Sequence, residues 1–282
     1  MFMIESGARL VVVTGAAAGI GAAVATALAP GSRAVSLWDR DARVHEIAED
    51  LAAAHEVRVQ SARIDVTDRA AVTAAFDRLI AEFGVPDVVV HAAGVMHAGS
   101  ALEISPRDWE RSLAVNAGGT MHVTQRAARE MVAAGRGSIV VVSSNAASTP
   151  RSGMAAYCAS KAAATAFTRA LALQVAPHGV RVNLVSPGST DTDMLRGLYP
   201  GESHDPADPG DPSPLSGPSP LSTAARASLL DGDPEVYRLG IPLRRIAAPA
   251  DIAAAVRFLV SDDARHITMH DLRVDGGATL DM

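Results

Sequence analysis

A chain of 282 residues with 48% apolar and 20% charged side chains suits one α/β domain carrying an elaboration. Its net charge of -6 offers no basic footprint for nucleic acid, and its single cysteine, Cys158, excludes an intrachain disulfide framework and suits a reducing compartment. Met1 to Gly7 carries Glu5 and no basic leader-like region, and no stretch reaches the roughly 18 uninterrupted apolar residues of a membrane span, so the sequence predicts a cytoplasmic protein without a membrane partner.

Short β-branched runs alternate with Ala-rich helical patterns, the rhythm of βαβ units around a parallel sheet buried on both faces. Strands are expected at residues 10–14, 34–38, 57–64, 88–91, 138–143, 180–185 and 272–274. Between them, helices are expected to begin near Gly19, Ala42, Asp68, Pro106, Ala155 and Ala250. The pattern is a doubly wound parallel sheet of the Rossmann type, one domain over residues 1–282. The rhythm breaks at about 196–238, where residues 199–223 hold seven prolines among Gly, Ser and Asp. Such a stretch lacks a regular ladder of backbone donors, which predicts an insertion or mobile loop, either a lid or a tolerated surface elaboration.

The first strand runs into Thr14-Gly15-Ala16-Ala17-Ala18-Gly19-Ile20-Gly21. Glycines in a strand-to-helix turn let the backbone approach a pyrophosphate, whose charge sits against the free N–H groups of the following helix. A Gly-rich turn without a ligand is the plainer reading of the motif taken alone; its context between strand and helix favours a dinucleotide. At the end of the second strand lies Asp39, whose carboxylate can accept from the adenosine ribose hydroxyls and would repel the extra phosphate of NADP, so NAD is the expected cofactor. Arg40 beside it could serve a phosphate instead. Asp65-Val66, after the third strand, is placed to meet the adenine ring, although an Asp there also suits a helix cap.

Tyr157 and Lys161 are four apart and share one face of a helix. An unperturbed phenol has a pKa near ~10 and is a poor base; a nearby ammonium favours its phenolate. Lys161 is the chain's one lysine among 25 basic residues. Ser144, after the fifth strand, can hydrogen-bond a reacting oxygen, and Asn116 can anchor a water beside Lys161. Each is an ordinary polar residue alone, but together they form an ordered set following a nucleotide turn.

With these motifs, the turn Ser186-Pro187-Gly188 and the late Asp275-Gly276-Gly277, the sequence resembles the short-chain dehydrogenase/reductase family over nearly its whole length. The resemblance implies a catalytic tetrad at Asn116, Ser144, Tyr157 and Lys161. It further implies cofactor contacts at Thr14, Gly15, Gly19, Ile20, Gly21, Asp39, Asp65, Val66, Ala92, Ala93, Gly94, Tyr157, Lys161, Pro187, Gly188 and Thr190. A homotetramer built through the helices carrying Trp109 and Tyr157, together with the C-terminal segment, is also implied. One departure is His91-Ala92-Ala93-Gly94, where the family usually has Asn-Ala-Ala-Gly.

Narrower stretches resemble the subfamily that oxidises 2,3-dihydro-2,3-dihydroxybenzoate: Ser144-Asn145-Ala146-Ala147 followed by Thr149-Pro150-Arg151 and Met154, then 186–194, Leu239-Gly240-Ile241-Pro242-Leu243, and 266–270 before Asp275. The implied substrate is a cyclohexadiene carboxylate losing hydride from C3. Arg151, Met154, Ser144 and His97 are the expected substrate residues, Arg151 because a planar guanidinium suits a carboxylate, with a loop pin as its alternative role. His97 stands where the subfamily commonly has Arg, which keeps a sister substrate open, trans-2,3-dihydro-3-hydroxyanthranilate. A catalytically silent NAD-binding sensor or scaffold and a 3-oxoacyl or generic ketone reductase are the remaining alternatives. No metal is expected: His266 and His270, spaced by four, fit a packed C-terminal segment.

Overall fold

A computed structural model describes residues 9–199 and 221–280. Strands β1 (Arg9–Thr14), β2 (Ser32–Asp39), β3 (Arg58–Arg63), β4 (Val88–His91), β5 (Gly137–Val142) and β6 (Val180–Pro187) alternate with helices α1 (Gly19–Leu28), α2 (Val44–Ala54), α3 (Arg69–Phe83), α4 (Pro106–Ser112), α5 (Gly119–Ala134) and α6 (Ala155–Val175). Then come a short α7 (Asp193–Arg196), α8 (Thr223–Asp231), a two-stranded ribbon of β7 (Gly232–Asp233) and β8 (Arg238–Leu239), α9 (Pro249–Val260) and β9 (Asp271–Val274). Among the described residues the main sheet has seven strands in the order β3-β2-β1-β4-β5-β6-β9, and every pairing in it is parallel.

Strand alternation divides the core into two layers. Leu10, Val12, Val89, Ile139 and Val141 point to one face and pack against α3, α5 and α6, while Val11, Val13, Val88, Val90, Val140 and Val142 meet α1, α2 and α9 on the other. The helix starts follow their caps: Asp68 accepts from Ala71 N at 3.0 Å, and Ser105 accepts from Asp108 N at 3.0 Å before Pro106. Between α4 and α5 the helix widens into a π turn at Leu113–Gly118. The strand order reverses between β1 and β4, which opens a crevice at the carboxyl ends of the strands.

The expected insertion at 196–238 is corrected at its carboxyl side. Residues 223–239 fold into α8 and the ribbon, because Ser222 caps the helix and Ala225 and Leu229 bury a stripe spaced by four. Seven of the chain's prolines precede this helix, from Pro200 to Pro220, and they lie outside the described residues.

Candidate active site

Two adjoining clefts occupy the crevice. The first is lined by the glycine turn, Asp39, Asp65, Val66, Ala92, Ala93 and Gly94. Gly15 adopts φ +70°, and a Cβ there would meet Ala93 N at 2.5 Å; a Cβ on Gly21 would fall 1.9 Å from Gly15 O. Only glycine allows this turn and its packing on the end of β4. Ala18 leads into α1 with no side-chain cap, and the first turn holds no acid, so the helix presents uncapped amides to the cleft. The residues therefore fit a dinucleotide pyrophosphate.

Asp39 uses one oxygen to accept from Ala17 N at 3.1 Å and the other to accept from Asp41 N at 3.0 Å, tying the glycine turn to the end of β2. A carboxylate has about four lone-pair sites, so acceptor capacity toward a ribose remains. Arg40 and Arg43 also line this cleft, and Arg43 is paired with Asp41 at 2.9 Å. Burial works to raise the Asp65 carboxyl, but the Thr67 amide and hydroxyl, then Arg111 and Arg40, outweigh it and hold it below the usual range. Thr14 is an exception among the expected cofactor residues. It is fully buried behind the turn, with its hydroxyl 2.8 Å from His91 Nδ1, and acts as a brace between the ends of β1 and β4.

The second cleft, about 340 Å³, is lined by Ile20, Ala92, Gly94, Ser144, Arg151, Met154, Tyr157, Lys161, Pro187, Gly188 and Thr190, among others. The 21-residue α6 places Tyr157 and Lys161 on its buried face, with the Lys161 ammonium 5.9 Å from the phenol ring centroid. Lys161 Nζ donates to Val142 O at 2.9 Å. Ser144 lines the cleft beside the phenol and accepts from Ala146 N at 3.1 Å. Burial pushes the Tyr157 phenol above its ordinary value, and the Ser144 hydroxyl opposes that rise. The expected lowering of the phenol by Lys161 is not found: desolvation sets its direction, and desolvation also pulls Lys161 itself down to about 8.

Asn116 sits on the π turn and is 1% exposed. Its Nδ2 donates to Val95 O and to Ser160 Oγ, both at 2.9 Å, while Oδ1 accepts from Val95 N at 2.9 Å. The amide thus clamps the loop after β4 to α6. The departure at His91 has a structural use: burial first, then the Lys161 charge, push it down to about 3, so it is a neutral partner for Thr14. His91 Nε2 is buried with no partner among the described residues.

His97 does not reach the cleft, contrary to expectation. Its Nδ1 lies 3.0 Å from Ser112 Oγ on α4, and its neighbour Met96 lines the cleft instead. Sequence reasoning also missed Ser189, Tyr199, Tyr237 and Arg238 as cleft residues. The available signal was the motif 239–243, which begins one residue after Arg238. Among the described residues no three potential metal ligands come together, and no helix is long and apolar enough to cross a membrane.

A glycine turn opening a helix at a topological switch point, beside a buried Ser, Tyr and Lys, defines a nucleotide-dependent oxidoreductase architecture. Residues 9–203 match the short chain dehydrogenase family, and residues 217–279 match a family described as enoyl-(acyl carrier protein) reductase. The chain belongs to the short-chain dehydrogenase family. It is 39% identical over 272 residues to 2,3-dihydro-2,3-dihydroxybenzoate dehydrogenase of Bacillus subtilis (strain 168), covering 96% of each chain. The enzyme of the same name from Escherichia coli (strain K12) is 40% identical over 268 residues, covering 95% of this chain and 96% of that one. Among solved structures, 7 alpha-hydroxysteroid dehydrogenase complexed with NADH and 7-oxo glycochenodeoxycholic acid superposes with a TM-score of 0.82 at 26% identity, covering 100% of this chain and 99% of the other.

Proposed function

We propose that this chain oxidises the C3 hydroxyl of 2,3-dihydro-2,3-dihydroxybenzoate with NAD, giving 2,3-dihydroxybenzoate for a catechol siderophore-type product. The observation that carries the reading is a half-buried Arg151, without a hydrogen-bonded or carboxylate partner among the described residues, in the same cleft as Ser144, Tyr157 and Lys161. That arrangement suits a ring bearing both a carboxylate and an oxidisable hydroxyl, and the relatives from Bacillus subtilis and Escherichia coli carry the name of that activity. Asp39 at the ribose end of the first cleft supports NAD over NADP.

When bound, the nicotinamide supplies a hydride acceptor. Tyr157 takes the C3 hydroxyl proton while the C3 hydrogen leaves with its bonding electron pair, and the ketone formed tautomerises to the aromatic diol. Ser144, which lines the cleft beside the phenol, holds the substrate oxygen as it becomes a carbonyl. The Lys161 ammonium favours the Tyr157 phenolate that takes this proton, and its contact with Val142 O fixes its direction. Asn116 keeps the loop carrying Gly94 and Val95 against α6, and so holds one wall of both clefts. Cytoplasmic location and a homotetramer belong to the same proposal; exposed Trp109 on α4 and Leu280 near the carboxyl end supply apolar surface for assembly.

The test offers 2,3-dihydro-2,3-dihydroxybenzoate and trans-2,3-dihydro-3-hydroxyanthranilate side by side and follows NADH formation. Turnover of the dihydroxy acid with NAD preferred over NADP is expected. Turnover of neither rejects the substrate class, and equal catalytic efficiency with NADP rejects the cofactor reading. The amine substrate rested on His97 as a cleft residue, and the contact of His97 with Ser112 removes that support.

A further inference from the structure

Two guanidinium groups from distant parts of the chain face the same cleft. Arg151 comes from the segment between β5 and α6, and Arg238 comes from β8 of the ribbon that follows α8. The ribbon is tightly built: a Cβ on Gly232 would meet Arg238 O at 2.6 Å, and one on Gly240 would meet Leu230 O at 2.3 Å. Arg238 is therefore delivered from a close-packed turn. Its Nη1 donates to Tyr199 OH at 2.7 Å and its Nη2 donates to Ser189 Oγ at 2.9 Å.

Neither guanidinium has a carboxylate partner among the described residues, and Arg151 makes no hydrogen bond among them. Burial lowers Arg151 first and the nearby Arg238 charge lowers it next. Asp275 acts in the opposite direction, but its oxygens are taken by Asn145, Thr279 and Gly277. A loop-pinning role accounts for the bonds of Arg238 to Tyr199 and Ser189. It leaves unexplained a second cation beside them, which has no partner among the described residues. Half-buried like charges in one cleft are costly unless an anion joins them.

The hydroxyls add a direction. Because Tyr199 and Ser189 both accept from Arg238, each has its own O–H proton left to donate onward. The wall they form with the two guanidinium groups is thus rich in donors and positive in charge.

We propose that Arg238 is a specificity-determining residue that clamps the ring carboxylate together with Arg151 and, through Tyr199 and Ser189, presents donors that favour a neighbouring hydroxyl and disfavour a neighbouring ammonium. This rests on the reading that the substrate is a ring carboxylate. It assigns the discrimination between hydroxy and amino acids to the ribbon instead of to His97.

The test measures binding of benzoate and of its neutral isostere benzamide to the full chain in saturating NAD, alongside KM and kcat for the dihydroxy acid. Arg238→Ala should weaken benzoate about tenfold or more and leave benzamide unchanged, as expected for a charge-assisted contact. Arg238→Lys should restore part of the benzoate affinity, and Arg238→Ala should narrow the preference for the dihydroxy acid over the amino acid. Tyr199→Phe removes only a hydroxyl and tests the wall without risk to the fold; it should raise KM for the dihydroxy acid roughly twofold to tenfold at unchanged kcat. An unchanged benzoate-to-benzamide ratio in Arg238→Ala, or equal weakening of both probes, overturns the clamp. If the wild-type chain does not turn over the dihydroxy acid yet loses benzoate selectively in Arg238→Ala, the proposed substrate fails and the anion clamp stands.

Discussion

Asn116→Ala separates a structural brace from a proton-relay residue. The substitution removes two donated bonds and one accepted bond, and it strands the N–H and C=O of Val95 in a part-buried loop. Leaving a buried polar group without a partner costs about 1–3 kcal/mol, so two such groups cost at least about 2 kcal/mol together. At about 2–4 °C per kcal/mol for a domain of this length, Tm should fall by at least about 4 °C. Because Gly94 and Val95 line the first cleft, KM for NAD should rise as well. Thermal unfolding followed by circular dichroism, with initial-rate kinetics on the same preparation, reads both effects. A Tm within about 1 °C of wild type with unchanged KM for NAD and a lowered kcat would refute the brace, and would leave Asn116 acting on Lys161 alone.

Tyr157→Phe should lower kcat by about 10²–10⁴ while NAD affinity, measured by fluorescence titration, stays within about twofold; retained turnover would exclude Tyr157 as the base, and a retained biological output without turnover would favour a sensor. Arg151→Ala should raise KM for the dihydroxy acid about tenfold or more, and because Arg151 has no hydrogen-bonded partner to strand among the described residues, Tm should not fall; an unchanged KM sinks the assignment. The pH dependence follows from Lys161, which burial holds at about 8. Losing one proton from the Tyr157–Lys161 pair produces the same net charge whether it comes from the phenol or the ammonium, so the apparent value belongs to the pair. In the oxidation direction the active form has lost that proton, and kcat/KM should rise with pH and level off above about 8. A profile already flat from pH 6 upward contradicts this. The same lysine bears on stability: its folded value lies below its ordinary 10.5, so the charged form is disfavoured in the fold below about pH 8 and that penalty fades as pH rises from about 8 to 10.5.

Much of this molecule is written in short-range pattern. Strands β1, β4 and β6 and the starts of α1, α4 and α6 follow from β-branched runs, Gly19, Pro106 and Ala155, because apolar period, glycine permissiveness and proline placement act within one turn or one strand. The Tyr157 and Lys161 pairing is legible for the same reason, since four residues on a helix set their shared face. Helix α8 was hidden because the prolines before it masked a short stripe at Ala225 and Leu229, whose burial depends on neighbours the stripe does not name.

The sequence alone determined the doubly wound class, the nucleotide turn and the identity of the reactive side chains. Tertiary structure decided what those side chains and their neighbours face. His97 turns to Ser112, Thr14 turns behind the cofactor cleft to His91, and Asn116 closes on Val95 and Ser160. The balance at Tyr157 was decided there too, because spacing announces a nearby ammonium but says nothing of the desolvation that raises the phenol. Arg238 met Arg151 only when the chain closed across the cleft. Contacts between residues far apart in the chain, and the burial that sets their charge, arise from packing the layers together, and no local period encodes them.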